Sequence, residues 1–62
     1  MKLVKNVVTK DYRFRLIVYG RKTGTVYTVS AESEEAARLR LPPARNGEEY
    51  ALDLNAKRGR RI

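Results

Sequence analysis

Cysteine and histidine are both absent from this 62-residue chain. Without them there is no disulfide, no thiolate or imidazole metal site, no thiol nucleophile and no side chain of the type most often used as a general base. An enzyme is not expected, and neither is a bound metal or cofactor. The cysteine-free composition fits a reducing cytoplasm. Long apolar runs are missing too: the longest is four residues, Leu16 to Tyr19, against the roughly 20 needed to cross a bilayer. Lys2 and Lys5 are not followed by an apolar stretch and a small-residue cleavage site, so no signal peptide is expected at this start and no membrane partner is implied. Glycine is sparse. Gly20 and Gly24 bracket a turn, and no helix start follows them at the spacing of a phosphate-cradling loop. A chain this short buries roughly 60% of its unfolded surface, enough for one small, marginally stable domain without a deep water-excluding pocket.

Cations are plentiful and unevenly spread. Fourteen Lys and Arg stand against seven Asp and Glu, a net charge of +7. Seven of the cations fall in the first twenty-two residues beside the single acid Asp11, and the chain closes on Lys57-Arg58-Gly59-Arg60-Arg61. Thr23 to Ala56 leans the other way, with three basic and six acidic residues. Two basic ends around a mildly acidic centre attract polyanions before any specific contact forms, and nucleic acid, DNA or RNA, is the commonest polyanion in a cell.

The run Tyr12 to Tyr19, β-branched and aromatic, predicts a strand, and Thr25 to Ser30 predicts its hairpin partner. A turn at Arg21 to Gly24 sets Leu16 against Val29 and Val18 against Tyr27. Phe14, Leu16, Val18, Tyr27, Val29 and Ala31 then share an apolar face, while Arg13, Arg15, Ile17, Tyr19, Val26, Thr28 and Ser30 share a wet one. Lys2 to Thr9 reads as a preceding strand, with either Leu3, Lys5 and Val7 or Val4, Asn6 and Val8 turned inward. Ser33 stands at a helix N-cap ahead of Glu34 and Glu35, which complement the helix dipole. Ala36, Ala37, Leu39 and Leu41 make an apolar stripe, and Pro42-Pro43 ends the helix. Beyond the Asn46-Gly47 turn, Tyr50, Leu52 and Leu54 alternate with polar or small residues as in a final strand with one buried face. The expected fold is α+β: a small antiparallel sheet of three to four strands with one short helix on one face, in the order β-β-β-α-β. Residues 1–56 form the domain and residues 57–62 a basic C-terminal tail. An exposed first or last strand offers pairing across a two-fold axis, and so a homodimer.

Arg13 and Arg15, two apart on one strand, with Tyr19 beyond them and Arg21 and Lys22 at the hairpin tip, form the first candidate nucleic-acid surface: cations hold phosphates and an exposed Tyr stacks on an unpaired base. Lys57, Arg58, Arg60 and Arg61 form a second, as a flexible arm along a phosphate backbone. Ordinary solubility of an exposed strand explains the same Arg pattern without a ligand. Ile17, Tyr19 and Val26 are the anchors of a different reading, in which a partner protein covers that face. Glu49, Asp53 and Lys57 suggest a metal-dependent nuclease only on spacing, and a solvated strand face pairing with Arg38 or Arg40 describes the two acids better.

Tyr27-Thr28-Val29-Ser30-Ala31-Glu32-Ser33-Glu34-Glu35-Ala36, with Asn46-Gly47-Glu48-Glu49-Tyr50-Ala51-Leu52-Asp53, resembles small phage and mobile-element proteins of the DpnD/PcfM-like type. In those a strand leads into an Ala-x-Ser-Glu-Glu-x-Ala helix start and then a last strand. The likeness covers about half of the chain and implies a fold more than an activity; the Pro42-Pro43 stop and the basic ends depart from it. The order of strands leading to a helix is also similar to the arm-type DNA-binding domains of phage integrases, which by fold-level analogy makes Arg13, Arg15, Tyr19, Arg21 and Lys22 a reading face. Small phage-encoded anti-CRISPR inhibitors share the architecture, and that resemblance implies a host protein or nucleoprotein complex as the alternative partner.

Overall fold

The computed structural model describes residues 8–62. Four strands and one helix follow in the order β1 (Lys10–Val18), β2 (Arg21–Ala31), α1 (Glu34–Arg40), β3 (Glu48–Leu52) and β4 (Arg60–Arg61). The chain is thus a small α+β domain with one short helix, as its sequence pattern predicts. The strand expected over Lys2 to Thr9 lies outside the described residues except for Val8 and Thr9, which are not in a strand. Among the described residues the order is β-β-α-β-β. The sheet is mixed, arranged β3-β1-β2-β4, with β1 antiparallel to β2 and β3, and β4 parallel to β2.

The hairpin turns earlier than its glycines suggest. Tyr19 and Gly20, with φ of 50° and 75°, make a two-residue turn between Val18 and Arg21, the left-handed pair that matches strand twist. Phe14 therefore pairs with Tyr27 and Tyr12 with Val29, and the expected Leu16–Val29 and Val18–Tyr27 pairings do not form. The offset is four residues, an even number, so the division into faces survives it. The residues read as the turn lie in β2 instead, where Thr23, Gly24 and Thr25 bulge opposite Leu16. Thr23 ties the bulge down by donating from its hydroxyl to the Leu16 carbonyl (2.6 Å).

One face of the sheet carries the main core. Phe14 and Val29 are fully buried there, with Ala31, Ala37 and Leu41 around them and Tyr12, Tyr27, Ala36 and Tyr50 at the margin. Ser33 caps α1 by accepting from the Ala36 amide (3.2 Å). Ala37 and Leu41, four apart, are the buried positions, while Leu39 points away and is 88% exposed. A helix advances about 100° per residue, so Leu39 sits nearly opposite Ala37 and does not belong to the stripe expected for it. Arg38 fastens the helix to the sheet: its guanidinium lies 5.0 Å from the Phe14 ring centroid, pairs with Glu34 (3.1 Å) and donates to the Tyr50 carbonyl (3.0 Å). That last bond also occupies a carbonyl of the edge strand β3.

The opposite face is not left wet. β3 ends at Leu52, and Asp53 turns the chain, its side chain accepting from the Asn55 amide (3.2 Å) and its carbonyl from that of Ala56 (3.3 Å). Leu54, expected in the strand's buried row, is 61% exposed in this turn. The chain then crosses from the β3 edge to the β2 edge over Val26 and Thr28. Gly59 lies so close to them that a Cβ there would overlap Thr28 Oγ1 and sit 3.2 Å from Val26 Cγ1. Ala56 is buried under the same crossing, and Ile62 donates to the Thr28 carbonyl (3.0 Å). Residues 57–62, expected as a loose tail, therefore return to the sheet as its fourth strand. The helix crosses from β2 to β3 on one face and this segment crosses back on the other, so both parallel connections have the same hand. No helix among the described residues is long and apolar enough to cross a membrane.

Candidate nucleic-acid interface

Strand alternation puts Arg13 and Arg15 on the face that the crossing segment covers. Arg15 is consumed there. Its Nε donates to Asp53 Oδ2 (3.0 Å) and its Nη1 to the Thr23 carbonyl (2.8 Å), so one guanidinium joins β1, the β2 bulge and the turn after β3. The same bond holds the Asp53 carboxyl below its ordinary value of 3.8, with Lys22 adding a weaker pull. Asp53 finds Arg15 and not Arg38 or Arg40, because the turn brings it back over β1. Arg13 is half-buried, and its Nε is shielded from solvent with no partner among the described residues. Arg15 is therefore not free to hold phosphate, and Arg13 is only partly exposed.

Arg61 is likewise engaged. Its Nη2 contacts Asp11 (3.2 Å) and its Nη1 contacts the Ser30 hydroxyl (3.3 Å), which itself donates to Asp11 (2.5 Å). Ser30 first and Arg61 second depress the Asp11 carboxyl. This exposed pair clips the returning strand across the start of β1.

Five of the eight cations singled out from the sequence remain exposed and outside the three ion pairs of the described residues: Arg21, Lys22, Lys57, Arg58 and Arg60. Two lie on β2 and three on the segment that leads into β4. Arg21 and Lys22 open β2 next to the hairpin turn, and Arg58 and Arg60 flank Gly59 where the crossing segment reaches β2. Between these two groups the bulge leaves an open groove of about 290 Å³, lined by Gly24, Thr25, Val26, Arg58, Gly59 and Arg60. No carboxylate lines it. Two arginines and no acid in the lining favour an anion.

Tyr19 is 76% exposed in the hairpin turn, as expected of the stacking candidate. Ile17 is only partly exposed and Val26 is 8% exposed, so of the three anchors named for a protein partner, Val26 is corrected to a covered position. Among the described residues no three His, Cys, Asp or Glu side chains gather as a metal would require. The groove itself was not legible in the sequence, because Gly24 and Gly59 are 35 positions apart and only the return of the C-terminal segment brings them together. A hint was present in Gly59 between Arg58 and Arg60, a residue without a side chain inside a cationic run. Comparison with known proteins brings no relative: no family model matches the chain, and neither does a curated protein or a solved structure.

Proposed function

We propose that this chain is a non-enzymatic cytoplasmic protein of the phage or mobile-element kind that binds nucleic acid through the β2–β4 edge. The observation that carries the reading is the groove in which Arg58 and Arg60 face Gly24 and Thr25 with no acid in the lining. Arg21, Lys22 and Lys57 extend the same positive surface. Two guanidinium charges beside exposed backbone can hold the oxygens of a phosphate. The binding residues are Arg21, Lys22, Lys57, Arg58 and Arg60; Arg15 and Arg61 support them through the fold. The rival reading, an inhibitor or adaptor docked on a host protein, keeps only Tyr19 and part of Ile17 of its three anchors.

Titration of labelled duplex DNA, single-stranded DNA and RNA over a salt series tests this. If all five cations meet phosphate, log K falls against log salt with a slope of about −4 to −5 on duplex. Arg58→Ala with Arg60→Ala flattens that slope by about 2. Arg13→Ala with Arg15→Ala acts instead on stability. Absence of binding at low salt, or a salt-independent affinity, overturns the proposal. Capture of a host protein that survives nuclease treatment favours the rival.

A further inference from the structure

We infer that Tyr19 is a preformed stacking platform for an unpaired base, so that the nucleic acid this edge takes is single-stranded; the inference rests on the nucleic-acid reading above. Tyr19 is the one non-glycine residue with positive φ among the described residues, at 50°. The first position of such a turn favours Asn, Asp or Gly, and a bulky residue there is strained by about 1 kcal/mol or more. Burial does not repay that strain, since the side chain is 76% exposed. The ring nonetheless has a seat. The Tyr19 amide donates to the Gly47 carbonyl (2.7 Å), and the ring lies directly on Gly47, where a Cβ would come within 2.6 Å of Cζ. Gly47 has φ of 86°, so glycine is needed both for its backbone and for the ring's seat.

An exposed aromatic ring resting on backbone has less ordering entropy to lose than a free one, which favours stacking a base. Its neighbours suit the ligand. Arg21 and Lys22 follow the turn directly at the start of β2, both exposed. From Arg21 to Tyr27, the partner of Arg60, β2 spans at most about 20 Å. Because the ring rests on Gly47, beside the start of β3, the path to β4 also crosses about three strand spacings, roughly 14 Å. The diagonal of about 25 Å is the length of about seven stacked nucleotides. A strand anchored by a base at the turn and by phosphates at the groove fits that distance. A duplex keeps its bases stacked inside and offers Tyr19 nothing.

The test compares an oligothymidylate of about twelve nucleotides with a duplex of equal length by fluorescence anisotropy, on the wild type, Tyr19→Phe, Tyr19→Leu and Tyr19→Ala. Tyr19→Leu keeps bulk over Gly47 and lacks a π-face, which guards against a variant that merely unfolds. The expected result is retained affinity for Tyr19→Phe and a loss of roughly tenfold or more for Leu and Ala on the single strand. The salt slope stays unchanged, because no phosphate contact is removed. Equal losses on both forms, or none on the single strand, overturn the platform while leaving electrostatic binding standing. If neither form binds the wild type at low salt, the nucleic-acid reading itself fails.

Discussion

A single absent side chain decides whether the C-terminal segment can lie where it does. Gly59 passes over Thr28 and Val26 with no space for a Cβ, so Gly59→Val must lift the crossing segment or displace β2. Overpacking of this kind costs about 1–3 kcal/mol. Urea denaturation of the variant is expected to show that loss, with NMR shift changes concentrated at Val26 and Thr28. Arginine roles also separate at this scale. Arg15, Arg38 and Arg61 are bound to carboxylates of the chain and serve the fold, whereas Arg58 and Arg60 face an open groove. Residue type does not distinguish them; whether an acid lies within reach does.

Helix α1 is too short to be stable alone and depends on its cap and its one buried seam. Ser33→Ala removes the bond to the Ala36 amide and is expected to cost about 1 kcal/mol, while Leu39→Glu, on the exposed side, changes stability by less than about 0.5 kcal/mol. Thermal melts of the two variants check the pair, and a larger effect at Leu39 would mean that the wrong helix face has been assigned to the core. Among the strands, β1 is central and contributes Phe14, whereas β4 has two residues and is held by the Ile62 amide and the Arg61–Asp11 contact. Local opening is therefore expected to begin at β4.

Over the whole molecule, acid sensitivity follows from where its carboxylates are bound. Asp11 and Asp53 both have their carboxyls held below the ordinary value of 3.8, Asp11 by Ser30 and then Arg61, Asp53 by Arg15. A folded-state pKa below the unfolded one stabilises the fold at pH above the unfolded value, and that stabilisation disappears as pH falls through the folded value. Stability is expected to be level near neutrality and to decline below about pH 4. At the other limit, burial raises the Tyr50 phenol above its ordinary 10.0, so its ionisation opposes folding as pH climbs past about 10. Denaturation midpoints across pH test both limbs, and Asp53→Asn should flatten the acid one. The same network joins stability to the proposed function, since the Arg61–Asp11 contact holds β4 in place beside Arg58 and Arg60.

Local patterns were sufficient for the α+β class, the capped helix with its proline stop, the two faces of the hairpin and the basic ends, because each depends on periodicity or on neighbours within a few positions. The turn at Tyr19 and Gly20 was missed because Gly24, with its flanking polar residues, is the more usual turn signal, and tertiary pairing with Gly47 overrode it. The fate of the C-terminal run could not be read at all. Lys57 to Arg61 has no apolar periodicity, and its docking comes from contacts made across the sheet: Asp53 to Arg15, Gly59 over Thr28, Arg61 to Asp11. Composition settled how much positive charge this protein carries. Only the tertiary structure decided which of those charges are neutralised within the fold and which face solvent, because an ion pair depends on distance in space and not along the chain.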